Sequence, residues 1–226
     1  MFSVFYYLGS MFYYDVHTHN KEASDDTISI YNLTQDEILS GTDFAGRNIY
    51  YSAGIHPWHA ADTAVDIESL NTCLSNNRIV ALGEIGLDKL CQVPMSLQND
   101  IFEQQIRLSL DLNLPVIIHC VKAWDELIAI YKKYKSHQLW IIHGFRGGKE
   151  QAVQLMKWGF MFSLGKYYNE DTLRVIYPYH LVLETDDEES NIKNRYQKIG
   201  EIMKQDLDSV KKQISQNVSK ITNSRF

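Results

Sequence analysis

Histidines recur in this sequence at the ends of short apolar runs. The segment Asp15-Val16-His17-Thr18-His19 holds two imidazoles two residues apart, and on a strand such residues point to the same face. Two further apolar runs end in His119 and His143. Each histidine alone could be a hydrogen-bonded structural residue, but repetition at successive run ends favours a site where imidazoles hold a metal ion.

Carboxylates end two other apolar runs. Glu84 lies in Gly83-Glu84-Ile85-Gly86, among apolar residues where an unpaired charge is very costly. It is therefore either paired with a basic side chain or a ligand to metal ions. Asp186 follows Glu184 and Thr185 at the end of the last run, and the alternative there is an acidic helix start.

Eight apolar runs rich in Ile, Val and Tyr are predicted to be strands, and several lack polar alternation, as strands buried on both faces do. They cover residues 12–17, 27–32, 49–54, 79–83, 115–119, 139–143, 160–164 and 180–184. Helical patterns separate most of them, which predicts βαβ units and an α/β fold of the TIM-type (β/α)8 class. Only about ten residues separate the first two strands, and a parallel crossover normally needs a dozen or more. We therefore expect the barrel to lack its first helix or to be distorted there.

Active sites of such barrels lie at the C-terminal ends of the strands, and the candidate ligands all fall there. They are His17, His19, Glu84, His119, His143 and Asp186. One catalytic zinc needs about three protein ligands and a water, so this set suggests two divalent ions. Imidazole-rich sets suit Zn or Mn better than Ca, and Mg is kept as a candidate.

Composition limits the other possibilities. The 226 residues carry a net charge of −6, which argues against a broad basic surface for nucleic acid but leaves a metal-dependent nuclease open. We expect one domain over 1–226, a monomer by default, and no membrane partner. Three cysteines, an odd number, favour reduced thiols and a cytoplasmic setting. Residues 1–10 are interpreted as a dispensable extension on the hypothesis that translation starts at Met11, which an N-terminal peptide containing Met1 would refute.

The ordered motifs resemble the TatD family of metal-dependent hydrolases, over nearly the whole chain. They are the Asp-x-His-x-His opening, Gly54-Ile55-His56-Pro57-Trp58, Gly83-Glu84-Ile85-Gly86-Leu87-Asp88, the two strand-end histidines and Glu184-Thr185-Asp186. The resemblance implies a barrel with two divalent ions that hydrolyses phosphodiesters, often trimming DNA from an end. By analogy His17, His19 and Asp186 would hold one ion, His119 and His143 the other, with Glu84 bridging. The resemblance also implies that Glu84 and Asp186 act in catalysis and that His56 contacts substrate.

The sequence also departs from this family. An Arg usually stands two residues after the fifth-strand histidine, whereas here Val121 and Lys122 follow. We therefore expect Lys122 and Arg146 to contact phosphate, with a surface Arg on a Gly-rich loop as the alternative. The acidic run at 187–189 near the site would repel a polyanion, and the alternative is a solvated helix start. Deoxyribonuclease activity on DNA ends, which the resemblance implies, is still the expected function. The alternatives are hydrolysis of a small phosphoester, amide or lactone and, with less support, a non-catalytic binding barrel.

Overall fold

The computed structural model describes residues 12–222, apart from 23, 42, 45, 63 and 136. The hypothesis on residues 1–10 therefore lies outside the described residues. Eight strands form one parallel sheet in sequence order. They are β1 (Tyr13–Thr18), β2 (Thr27–Asn32), β3 (Ile49–Ala53), β4 (Ile79–Asp88), β5 (Val116–Val121), β6 (Trp140–Ile142), β7 (Met161–Leu164) and β8 (Leu181–Leu183). All eight predicted strands are confirmed, most to within one or two residues at each end.

Helices alternate with the strands over most of the described chain. They are α1 (Gln35–Ser40), α2 (Ile67–Leu74), α3 (Met95–Leu112), α4 (Trp124–Tyr134), α5 (Lys149–Met156), α6 (Glu170–Ile176), α7 (Lys193–Met203) and α8 (Leu207–Thr222). No helix stands between β1 and β2 in the part of the chain that the structure describes, although the two strands pair in parallel. The barrel is therefore of the predicted class and, in its described residues, lacks the first helix, which is one of the two outcomes expected from the sequence.

The barrel closes between its first and last strands. The backbone N–H of Asp186 donates to the carbonyl of His17 (3.0 Å), and that of His19 donates to the carbonyl of Asp186 (2.9 Å). Outside this seam, α8 packs against β1 and β8, and the buried hydroxyl of Tyr196 on α7 bonds both backbone groups of Tyr14. The two closing helices therefore cover β1, which has no helix of its own.

One strand boundary was predicted wrongly. The sequence placed Glu84 at the end of a strand over 79–83, but β4 continues to Asp88. All ten residues of β4 are buried, and its second half pairs with β5 through Gly86 and His119. Backbone pairing therefore extends the strand past the carboxylate. Among the described residues, no helix is both long and apolar enough to cross a membrane.

Candidate metal centre

The carboxylate of Glu84 lies inside the C-terminal mouth of the barrel and is 5% exposed. Its Oε1 atom faces three imidazoles that come from three different strand ends. The Oε1 atom lies 2.7 Å from Nδ1 of His119, 2.7 Å from Nε2 of His143 and 3.3 Å from Nε2 of His56. His119 and His143 also approach each other, with 3.3 Å between Nδ1 and Nε2. These donors could together hold a cation beside Oε1.

The second oxygen of Glu84 faces the opposite side, where β1 and β8 meet. Its Oε2 atom lies 3.3 Å from Nε2 of His17 and 3.8 Å from Nε2 of His19. The Oδ1 atom of Asp186 lies 3.5 and 3.8 Å from the same two nitrogens. The seam between the first and last strands brings these residues together, because Asp186 pairs with the backbone on either side of Thr18. They form a second set that could hold a cation.

Several buried polar atoms of the site form no hydrogen bond within the protein, although some lie near an opposite charge. They are both ring nitrogens of His17, Nδ1 of His143 and Oε2 of Glu184. Buried polar groups are almost always hydrogen-bonded or bound to a metal, so unpaired ones point to an absent ligand. His17, His19 and Asp186 lie close enough to share one cation, as do His56, Glu84 and His119, or His17, Glu84 and His143. The donor set fits divalent metal ions.

The charges of the site are strongly coupled. Burial alone would raise the pKa of Glu84, but the imidazoles of His143, His119 and His17 outweigh it and hold that pKa well below its usual value. Burial would lower the pKa of His17, yet Asp186 and Glu84 raise it to about 9. The pKa of His143 is likewise held well above its usual value, against burial, by Glu84 and Glu184. Protons on imidazoles thus balance the carboxylates, and divalent ions that bind neutral imidazole would displace those protons.

A second layer of polar groups orients the imidazoles. Asp88 Oδ2 lies 3.3 Å from Nε2 of His119 and accepts a hydrogen bond from the indole Nε1 of Trp58 (2.8 Å). Glu184 Oε1 accepts from the backbone of Gly144 (2.6 Å) and lies 3.7 Å from Nδ1 of His143. Carboxylates behind metal-binding histidines fix the ring orientation, and these two occupy that place.

Asp88 and Glu184 are not among the site residues predicted from the sequence. For Asp88 a signal was present, because it stands four residues after Glu84 and residues at even spacing on a strand share a face. The strand was predicted to end at residue 83, so this spacing was not used. Glu184 appears in the sequence only as part of the motif that ends at Asp186. Its contacts with Gly144 and His143 depend on the turn that follows β6.

Asp15 on β1 stabilises the seam between the first and last strands through hydrogen bonds with Thr185. Its carboxylate is buried and accepts from the backbone N–H and the hydroxyl of Thr185, at 3.0 and 2.6 Å. Burial raises the pKa of Asp15 to about 7, although the Thr185 hydrogen bonds lower it. Asp15 therefore fixes the residue just before Asp186.

We expect Asp15→Ala to lower the free energy of unfolding by about 1–3 kcal/mol, because a buried donor is left without an acceptor. Urea denaturation followed by circular dichroism measures this. The matched control is Asp25→Ala, an exposed aspartate for which a change within about 0.5 kcal/mol is expected. Equal stability of the two variants would contradict the role given to Asp15.

The three residues predicted to contact substrate all follow strand ends. His56 is at the metal centre itself, as the Oε1 contact shows. Lys122 follows β5, is exposed and has a positive φ of 54°. Arg146 lies in the exposed loop after β6, with its guanidinium 5.3 Å from the ring centroid of Tyr167. Both cations thus follow strand ends on the face that bears the site, and their contact with substrate stays a prediction.

The chain is similar in sequence to known proteins. The family described as TatD related DNase matches residues 26–223. The uncharacterized metal-dependent hydrolase YabD of Bacillus subtilis is 34% identical over 132 residues, which cover 57% of this chain and 50% of the relative. The 3'-5' ssDNA/RNA exonuclease TatD of Pantoea ananatis is 28% identical over 146 residues, covering 60% and 56%. The chain thus spans about half the length of the curated relatives it matches.

Solved structures with the same fold cover the chain more completely. The TatD homologue YjjV of Escherichia coli superposes with a TM-score of 0.79 at 20% identity, over 95% of this chain and 99% of that one. A TatD family hydrolase of Entamoeba histolytica superposes with a TM-score of 0.76 at 15% identity, over 94% and 98%. At these identities the likeness shows the fold alone.

Proposed function

Because the chain belongs to the TatD related DNase family, we propose that it is a metal-dependent hydrolase of phosphodiester bonds, and specifically a deoxyribonuclease that trims DNA ends. The observation that carries this proposal is the two-sided environment of Glu84. One carboxylate whose two oxygens face two separate sets of imidazoles is the arrangement that a bridging ligand between two cations requires.

The proposed ligands follow from the two sets. His17, His19 and Asp186 would hold one divalent ion and His119 and His143 the other, with Glu84 between them; Zn, Mn and Mg are the candidates. His56 is proposed to contact substrate beside His119 and His143. Its Nε2 also lies close enough to Oε1 of Glu84 for the two to share a cation. When bound, such ions lower the pKa of a water toward neutrality and stabilise charge on phosphoryl oxygens.

The side chains would supply the remaining chemistry. Asp186 is one-third exposed and has a pKa below its usual value, because the charges of His17 and His143 outweigh its burial. It is therefore ionised at neutral pH and would accept the proton of the attacking water at Oδ1. Lys122 and Arg146, on the same face, would contact the phosphate of the substrate.

A small phosphoester, amide or lactone is the alternative substrate, and one observation favours it. Asp187 and Glu189 follow the site and are exposed, so they add negative charge beside the mouth. The non-catalytic alternative has less support, because all six candidate ligands are present and lie within one cluster. A monomer and a cytoplasmic setting remain predictions.

The test is hydrolysis of single-stranded DNA labelled at either end, with Mg, Mn or Zn added and the metal content of each sample measured. We expect metal-dependent shortening from one end and about two ions per chain, as for two-metal sites. A sample that holds two ions but shortens no DNA would contradict the deoxyribonuclease proposal. Parallel assays on a small phosphodiester, an amide and a lactone then identify the bond.

A further inference from the structure

A groove of about 480 Å³ opens beside the loop that follows β7. It runs from that loop to the first two turns of α7, and its lining includes Lys166, Tyr167, Arg195 and Lys198. Loops that follow strands and helices that follow those loops stand at the C-terminal face of a barrel. The groove therefore opens on the same face as the metal centre.

The groove adjoins that centre through Gly165. A side chain at this position would meet the carboxylate of Glu184, with its Cβ 3.6 Å from Oε1. Glu184 in turn lies 3.7 Å from the imidazole of His143. Gly165, which precedes Lys166 in the chain, therefore links the groove through Glu184 to the candidate ligand His143.

Two cations share one aromatic ring at the entrance of the groove. Tyr167 is 56% exposed, and both the Arg146 guanidinium and the Lys166 ammonium lie over its ring, at 5.3 and 5.1 Å from the centroid. No carboxylate among the described residues forms an ion pair with Arg146. An aromatic face attracts and positions cations. The ring of Tyr167 therefore positions two cations at the entrance of the groove, where an anion would be attracted.

The acidic run beside the site is partly neutralised here. Glu188 Oε2 accepts from the guanidinium of Arg195 at 2.6 Å, and its Oε1 lies 4.0 Å from Nζ of Lys166. The Arg195 side chain is only 13% exposed, and its Nε has no partner. The groove and its entrance thus carry four cations against the carboxylates of Glu188 and Glu170, in a chain whose net charge is −6.

We propose that this groove binds backbone phosphates of a single-stranded DNA substrate, next to the phosphate that is cleaved. Lys166 would contact one phosphate, with the ring of Tyr167 holding its ammonium in place, and Lys198, three residues along α7 from Arg195, would contact the next. Charges distributed along a groove suit a strand with several phosphates better than a single small anion. The inference rests on the proposed function and deepens it by naming residues that select a polymer.

The first experiment measures binding without cleavage. A fluorescein-labelled 12-nucleotide single strand with phosphorothioate linkages is titrated with the metal-loaded protein at several salt concentrations, and anisotropy gives Kd. We expect Lys166→Ala/Lys198→Ala to raise Kd at least about tenfold. The slope of log K against log salt should fall by about 1.4, which is about 0.7 for each cation that no longer neutralises a phosphate. Tyr167→Ala should raise Kd as well, whereas Tyr167→Phe, which keeps the ring, should bind like the wild type.

The second experiment separates this role from a structural one. On the small phosphodiester bis(p-nitrophenyl) phosphate, kcat and KM of the Lys166→Ala/Lys198→Ala variant should equal those of the wild type, while KM for the single strand rises. Lys132→Ala is the matched control, because Lys132 also lies over an aromatic ring, 5.3 Å from the centroid of Trp158, but near the C-terminal end of α4. Helices run opposite to the strands in this fold, so that end faces away from the site.

The outcomes are distinguishable from failure of the proposed function. If the wild type cleaves no phosphodiester but its binding to the single strand depends on salt and on these cations, the groove stands and the nuclease proposal fails. If the wild type cleaves the small substrate and the double variant binds the strand as the wild type does, the groove is overturned. It is also overturned if the wild type does not bind the strand, or if the variant loses activity equally on both substrates.

Discussion

Replacing Glu84 by Gln is expected to lower phosphodiesterase kcat by at least about 10²-fold, the loss typical of removing one preorganised charge-stabilising group. The physical reason is that both oxygens of this carboxylate are used, each toward a different set of imidazoles. An amide keeps the size and shape of the side chain but carries no charge and offers only one acceptor. We therefore expect the variant to hold no more than one divalent ion per chain, against the two proposed for the wild type.

Metal analysis and kinetics on the same preparation test this expectation. The matched control is Glu22→Gln, the same substitution at an exposed position in the loop after β1. It should leave both metal content and kcat unchanged. A Glu84→Gln protein that retains two ions and more than a tenth of the wild-type rate would show that Glu84 is not the bridge. Circular dichroism should show both variants folded, because the substitution preserves volume.

The largest effect on stability is expected for Gly86→Ala. Gly86 has a φ of +146°, and a Cβ there would lie 2.0 Å from the carbonyl oxygen of His119 and 2.9 Å from its carbonyl carbon. These are backbone atoms of the paired strand β5, so no side-chain rotation relieves the clash. We expect the free energy of unfolding to fall by more than about 4 kcal/mol, at the extreme of single-substitution effects.

The same substitution should also disturb the metal centre, because the backbone that must move carries a proposed ligand. Urea denaturation gives the stability, and metal content gives the second readout. Gly159→Ala is the control, since Gly159 also has a positive φ, of 84°, but nothing lies within 4 Å of its Cβ position. It should cost only about 1–2 kcal/mol for the left-handed backbone. Equal stability of the two variants would refute the steric argument.

The strands and most proposed ligands could be predicted from the sequence because both depend on local patterns. An apolar run of five or six residues predicts a buried strand, and a histidine at its end predicts a side chain at the barrel mouth. His17, His119 and His143 are such cases, and the structure brings all three within reach of one carboxylate. The short connection between β1 and β2 likewise predicted a missing first helix or a distortion of the barrel, and the described residues between these strands contain no helix.

Other features depend on contacts between distant parts of the chain. β4 extends to Asp88 because it pairs with β5. This extension places the carboxylate of Asp88 behind His119, a role that was not predicted from the sequence. The acidic run was expected to repel a polyanion, but Arg195, seven residues along the chain, pairs with Glu188. Whether a surface charge is paired depends on side-chain geometry, which sequence spacing alone does not determine.

The sequence by itself therefore determined the fold class, the family and the residue types of the site, because alternation of strands and helices and ordered motifs are properties of the chain. Only the tertiary structure decided that the two oxygens of Glu84 face separate donor sets and that cations gather around Tyr167. The physical reason is that both depend on distances of a few ångströms between residues of different strands and loops. Those distances are fixed by closure of the barrel and not by neighbours in the chain.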